Sequence, residues 1–155
     1  MKKLIVILTL CFAAQGFAQY DEEEVSNLNW LTDIEEAKQE AKASKKPILL
    51  FFTGSDWCPP CKSLKKDFFN SKAFEKKSKD FVLVMVDIPR RTDIITPEQR
   101  KKNNILVSKY NKKGSYPNLV ALNGSLSVIG ELSGYTFLRE TETHFNFIDS
   151  VLENY

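Results

Sequence analysis

The apolar positions of this chain follow two periods that alternate along its length. Residues 32–44 repeat every three to four positions, with Ile34, Ala37 and Ala41 on one face and Thr32-x-x-Glu35 in the form of a capping box. This predicts a helix, closed by Lys45-Lys46-Pro47. Ile48-Leu49-Leu50-Phe51-Phe52-Thr53 does not alternate, as expected for a central strand covered on both faces. Residues 59–69 return to helical spacing, with Leu64 and Phe68 inward and prolines in the first turn, where a missing N–H has no partner to lose. Asn70-Ser71 breaks that helix before a short helical piece around Phe74. Residues 81–86 form a second strand apolar on both sides. Thr96-Pro97-Glu98-Gln99 combines an N-cap residue, a first-turn proline and a glutamine at the third position, which starts a helix reaching Lys113-Gly114. Residues 119–122 and 126–129 flank Asn123-Gly124-Ser125, read as a hairpin with an Asn-Gly turn. A last helix over 139–153 turns Phe145, Ile148 and Leu152 inward. Strands and helices alternating in this way predict an α/β domain of three layers. Its central mixed sheet has four to five strands, parallel at first and ending in an antiparallel pair.

The first residues follow a different pattern. Lys2-Lys3 precedes an apolar run over 4–14 and then Gly16-Phe17-Ala18, the form of a secretory signal cleaved after Ala18 and too short to span a bilayer. Residues 19–29 are an acidic, polar leader, and 30–155 form the domain. The expected product is exported, with no stable membrane insertion after cleavage. The signal holds two of the 22 Lys and Arg residues and none of the 20 Asp and Glu residues, so the remainder is electrically balanced. That balance argues against nucleic acid or an anionic membrane surface as a partner. Of three cysteines, Cys11 falls within the signal (Leu10 before it is too bulky for lipidation), which leaves Cys58 and Cys61.

These two lie in Trp57-Cys58-Pro59-Pro60-Cys61-Lys62, where a buried strand gives way to a helix. A bridge between them would close almost no loop and so would constrain the unfolded chain little, which makes a purely structural staple a poor reading. Redox exchange is a better one. A sulfur at a helix N-terminus meets unpaired N–H groups and the positive end of the helix dipole, and these favour the thiolate that attacks disulfides. A structural zinc site needs four ligands, and His144 is the only histidine, far off on the last helix and read as a surface residue. Covalent haem attachment requires a histidine where Lys62 stands. Phe51, Phe68, Phe74 and Phe81 are core by periodicity. The lysine-rich stretches 62–79 and 100–113 read as solvated helix faces, with steering of an acidic partner as the alternative.

The strand, the Trp57-Cys58-x-x-Cys61-Lys62 helix, the second buried strand, Tyr116-Pro117, the hairpin and the last helix together resemble the thioredoxin fold over residues 30–154. Lys46-Pro47-Ile48 and Phe69-x-Ser71-x-x-Phe74 are similar to exported bacterial thioredoxin-like proteins, in particular the periplasmic C-terminal domain of thiol:disulfide interchange proteins. The resemblance implies Cys58 as attacking thiolate, Cys61 as buried resolving thiol and the Cys58–Cys61 pair as the redox disulfide. It implies Pro117 as a cis-proline that presents Tyr116 to an extended substrate, and Trp57 with Pro59 and Pro60 as the support around the sulfurs. The family usually has a buried aspartate six residues before the first cysteine, where this chain has Phe52, and a partner lysine near the position of Leu83. The stretch from Cys61 to Pro117 is longer than in thioredoxin, mainly through residues 88–104, either a partner surface or an idle insertion.

The expected activity is therefore thiol–disulfide exchange, reduction favoured, in the periplasm. The resemblance implies protein disulfides as substrates, a membrane thiol–disulfide relay as electron donor, a monomer, and no metal or other cofactor. The alternative is a binding module that holds copper(I) on the dithiol, since soft thiolates suit that ion. Met85 on its buried strand and the remote His144 offer that module little.

Overall fold

The computed structural model describes residues 28–155; the expected signal, Cys11 and residues 19–27 of the leader lie outside the described residues. Its strands are β1 (Trp30–Leu31), β2 (Ile48–Thr53), β3 (Val82–Asp87), β4 (Asn118–Leu122) and β5 (Val128–Ser133). They form one sheet in the order β1-β3-β2-β4-β5. β3 runs parallel to both β1 and β2, while β4 is antiparallel to β2 and to β5. The two-residue β1, paired through Trp30 and Leu83, is the strand that periodicity could not reveal.

The helices are α1 (Ile34–Ser44), α2 (Pro59–Leu64), α3 (Lys72–Ser78), α4 (Pro97–Tyr110) and α5 (Glu142–Glu153). α1 begins one residue after the capping-box reading. Asp33, not Thr32, is the N-cap, and its carboxylate accepts the N–H groups of Glu35 and Glu36. α1 and α4 cover one face of the sheet, where Ala37, Ala41, Leu106 and Tyr110 meet Ile48, Leu50, Phe52 and Val84. α2, α3 and α5 cover the other face, where Leu64, Phe68, Phe74 and Ile148 meet Leu49, Phe51 and Leu119 together with both cysteines.

The helix expected over 59–69 is α-helical only to Leu64; Lys65–Phe69 is a wider π turn, closed by Asn70 N–H donating to Lys65 O at 2.9 Å. The extra residue in that turn lets the adjacent Phe68 and Phe69 both reach the core. α4 stops at Tyr110, before the expected Gly114. The Asn111 side chain takes over there, donating to Ser115 O and accepting from Ser115 N. The hairpin also differs: β5 begins at Val128, two residues late. Asn123 Oδ1 accepts from both Ser125 N and Ser127 N, and Leu126 adopts φ 63°, so the connection is a five-residue loop rather than a tight Asn-Gly turn. Among the described residues no helix is long and apolar enough to cross a membrane.

His144 overturns its surface reading. α5 starts at Glu142 instead of 139, and its inward stripe is His144, Ile148 and Val151, with Phe145 and Leu152 at the flanks. The imidazole is 4 % exposed, between Phe68 and Tyr135 at 5.5 and 5.4 Å, and neither ring nitrogen makes a hydrogen bond of normal geometry. Burial pulls its pKa below the usual 6.5, with a nearby Gly134 backbone group opposing. Beyond Tyr135, the Asp67 carboxylate accepts from the Tyr135 hydroxyl and pairs with Arg139. Because the folded state holds the ring neutral, the unfolded chain binds more protons below pH 6.5. The contribution is complete above that pH and is lost as the pH falls through the lowered folded value. The thermal midpoint is thus expected to drop between pH 7 and 5, and His144→Phe should remove that slope. A variant as acid-sensitive as the parent would refute this. Asp67, held below its usual 3.8 by Arg139, acts only in a more acidic window and does not mask the effect.

Candidate functional site

Three segments converge at the C-terminal end of β2: the turn 54–57, the loop 88–93 after β3, and residues 115–117 before β4. Gly54 O accepts the N–H groups of Trp57 (3.2 Å) and Cys58 (2.9 Å), closing a turn that delivers Cys58 as the N-cap of α2. Pro59 and Pro60 fill the next two positions and have no N–H to offer. Cys61 is therefore the first amide of the helix, and it donates to Cys58 Sγ at 3.3 Å. The two sulfurs are bonded to one another at 2.03 Å. Cys58 is 2 % and Cys61 1 % exposed, so a partner reaches the pair only by seating on the residues around it.

Trp57 is one of those residues. Its indole N–H donates to Ile88 O at 2.7 Å, and its ring lies against Gly54, where an added Cβ would come within 2.3 Å of the indole. Glycine at 54 is thus required by close approach. Gly54→Ala should expel the ring and destabilise the fold by about 1–3 kcal/mol. Tryptophan emission should shift red and disulfide exchange should slow together with it; unchanged emission would show that the seat is not needed.

Tyr116 meets Trp57 edge-on at 5.2 Å, burial pushes its phenol pKa up, and its peptide bond to Pro117 is cis. The segment is fastened by buried amides. Asn111 holds Ser115, Asn118 Nδ2 donates to Asn111 Oδ1 (3.2 Å) and Glu131 Oε1 (3.0 Å), and Ser133 Oγ donates to Asn118 Oδ1 (2.6 Å). Gly134 N donates to Pro117 O at 2.8 Å. Trp57, Cys58, Cys61 and Tyr116 thus share one cluster, whereas Pro59 is exposed at the rim and Pro60 is half-buried.

The sheet side of the pair needs a correction. Phe52, which stands at the family's aspartate position by residue count, belongs to the opposite layer. Side chains alternate along a strand, and it is Phe51 and Thr53 that share the cysteines' face. There a cavity of about 500 Å³ lies beside Cys61, floored by Trp30, Phe51 and Met85 and edged by Lys62, Lys65 and Lys66. Leu83 does lie in the cysteine cluster. Among the described residues no carboxylate or lysine rises from the sheet into this cavity, so Cys61 has no buried acid among its lining residues.

Several residues here carried no recognisable signal. The Asp56 carboxylate accepts the backbone N–H of Arg90 (3.0 Å) and Arg91 (2.9 Å). Desolvation pushes this carboxyl up, but those amides outweigh it and hold its pKa below the usual value. Asp87 accepts Ser55 N, and Arg100 on α4 donates to Pro89 O and Arg91 O. The Arg90 guanidinium lies over the Trp57 ring, 5.1 Å from its centroid. Loop 88–93 is accordingly a brace for the cysteine turn. Only a proximity of Asp56 to the motif could have hinted at this. Among the described residues, no three His, Cys, Asp or Glu side chains cluster as a metal site.

Residues 29–124 match a family described as thioredoxin-like. The chain is 36 % identical over 99 residues to the disulfide bond reductase DsbH of Chlamydia pneumoniae, a match that covers 63 % of this chain and 58 % of that protein. It is 32 % identical over 98 residues to the thiol:disulfide interchange protein DsbD of Vibrio vulnificus, covering 56 % of this chain and 16 % of that protein. A solved structure of a DsbH oxidoreductase superposes with a TM-score of 0.70 at 27 % identity, over 91 % of this chain and 95 % of that one.

Proposed function

The chain belongs to the thioredoxin-like family, and from that footing we propose that it is an exported thiol–disulfide oxidoreductase that reduces protein disulfides through Cys58 and Cys61. The observation that carries this is the bonded pair at the start of α2, with the Cys61 N–H aimed at Cys58 Sγ. A donor in that place stabilises negative charge on the sulfur once the bond is opened.

The reaction balances without a cofactor. The Cys58 thiolate attacks one sulfur of a substrate disulfide, the S–S bond breaks, and the other substrate sulfur leaves as a thiolate. Cys61, losing its proton, then attacks Cys58 Sγ in the mixed disulfide. The second substrate thiolate leaves, and the Cys58–Cys61 bond closes. Two electrons have passed from the dithiol to the substrate. With no carboxylate lining the Cys61 cavity, water or a partner group takes the Cys61 proton. Trp57, Tyr116, Pro117 and the two prolines of the motif form the seat for the extended substrate segment.

Reduction is favoured over oxidation because Pro59 and Pro60 leave one amide, that of Cys61, in the first turn to stabilise the thiolate. Similarity to a protein named as a disulfide bond reductase supports the same direction. Residues 1–18 act as the export signal, the domain works as a monomer in the periplasm, and a membrane thiol–disulfide relay returns its electrons. Reduction of insulin by dithiothreitol tests the activity: the protein should accelerate it, and the Cys58→Ser variant should leave it at the uncatalysed rate. The reduction potential tests the direction: a value near about −270 mV fits a reductant, and one near about −120 mV would assign an oxidant. Copper in anaerobically purified protein, without exchange activity, would favour the copper(I)-holding module.

A further inference from the structure

Cations bracket the disulfide. On the Trp57 side, loop 88–93 is held by Asp56 and Arg100, and it lays the exposed Arg90 guanidinium over the indole ring. On the Cys61 side, Lys62 and Lys65 edge the cavity of about 500 Å³ whose floor is Trp30, Phe51 and Met85. Carboxylates stand close to these groups as well, and Asp56 keeps its negative charge beside Arg90. Asp56 is held by the Arg90 and Arg91 amides, Asp87 accepts Ser55 N, and Asp67 is paired with Arg139 and Tyr135. Outside the expected signal the basic and acidic residues balance, so the excess of cations over the Asp56 carboxylate at this rim is a local arrangement. Because both sulfurs are buried, an incoming disulfide must seat against the residues around them, where charges are screened only over a length of about 8 Å at physiological salt.

We propose that the rim selects partners whose disulfide lies in an acidic protein segment, with carboxylates meeting Arg90 on one side and Lys62 and Lys65 on the other, and an apolar side chain entering the cavity beside Cys61. This rests on the oxidoreductase reading and names its substrate class. The Arg90 brace is more than a support for Trp57: it puts a charge where the partner docks. Opposite charges at such a rim speed encounter and fix register, while like charges repel the wrong partner.

The test uses two synthetic disulfide peptides of the same length and apolar content, one with glutamates and the other with lysines flanking the cysteines. Second-order rates of reduction by the reduced protein are followed at low and high salt. The acidic peptide is expected to react about 10-fold faster at low ionic strength, with the gap closing towards 0.5 M salt at roughly the pace of Debye screening. Combining Arg90→Glu with Lys65→Glu should reverse the preference, and Arg90→Gln should shrink it. Equal rates for the two peptides, or an Arg90→Gln loss that falls equally on both, would overturn the inference while leaving the exchange reaction in place. Failure of the parent protein to reduce either peptide would instead remove the oxidoreductase reading, and this inference with it.

Discussion

Replacing Cys61 with serine is expected to yield a protein that attacks a disulfide once and stops. Cys58 in that variant can still form the mixed disulfide, but no second sulfur stands one helical turn away to displace the substrate. The adduct should accumulate and be visible by mass as one protein plus one substrate chain. Cys58→Ser should form no adduct, because the remaining sulfur does not occupy the N-cap and has no helix amide aimed at it as Cys58 Sγ has. Both variants should lose turnover by on the order of 10³-fold or more, down to the rate of free dithiol in the assay. The asymmetry in trapping matters more than the shared loss. If Cys58→Ser traps substrate and Cys61→Ser does not, the roles are reversed; if neither traps, exchange does not pass through this pair. The role proposed for Cys58 rests on Gly54 O, which closes the turn through the Cys58 N–H, and on the Cys61 N–H, which faces its sulfur.

The second large effect is on stability. Phe68 is wholly buried and lies at the centre of an aromatic cluster, with Phe69, Phe74 and Phe145 at 5.0, 4.7 and 4.8 Å. Phe68→Ala removes a ring that the surrounding elements cannot replace, since they come from the π turn, α3 and α5, and each is anchored elsewhere. The expected loss is about 3–5 kcal/mol, which lowers the thermal midpoint by roughly 10–20 °C. Against a total of about 5–15 kcal/mol for an ordinary domain, this takes a large share of the whole. Denaturant unfolding of the oxidised protein measures it directly, as a lower midpoint at unchanged slope. A loss under 1 kcal/mol would mean that the cluster repacks and that the π turn is not a rigid part of the core. The disulfide should still form in the variant that remains folded.

How much was visible beforehand depends on the range of the interaction. The buried strands β2 and β3 were legible because residues 48–52 and 82–86 are unbroken apolar runs. The α4 start was legible because Thr96, Pro97 and Gln99 state it within four residues, and Thr96 Oγ1 does accept Gln99 N. The hairpin misled, since Asn-Gly signals a two-residue turn only when neighbouring amides do not find a better acceptor. Here Asn123 Oδ1 captures two of them. His144 misled for a matter of phase: a helix start three residues later turns a different stripe inward. β1 was invisible, because two residues cannot express a period.

What this chain's residues determined unaided is the order of strands and helices from α1 onward, the three layers, and the meeting of a cysteine pair with a helix start. Each depends on neighbours within a turn or a strand, where burial leaves a regular mark in one dimension. What only the tertiary structure decided is which side chains face the sulfurs. That choice put Phe51 and not Phe52 on the cysteine face, set Arg90 over Trp57, and tied Asp56 to amides 34 and 35 residues away. Contacts of that kind depend on strand register and loop closure, and a shift of a single residue reverses them, so no local pattern can encode them.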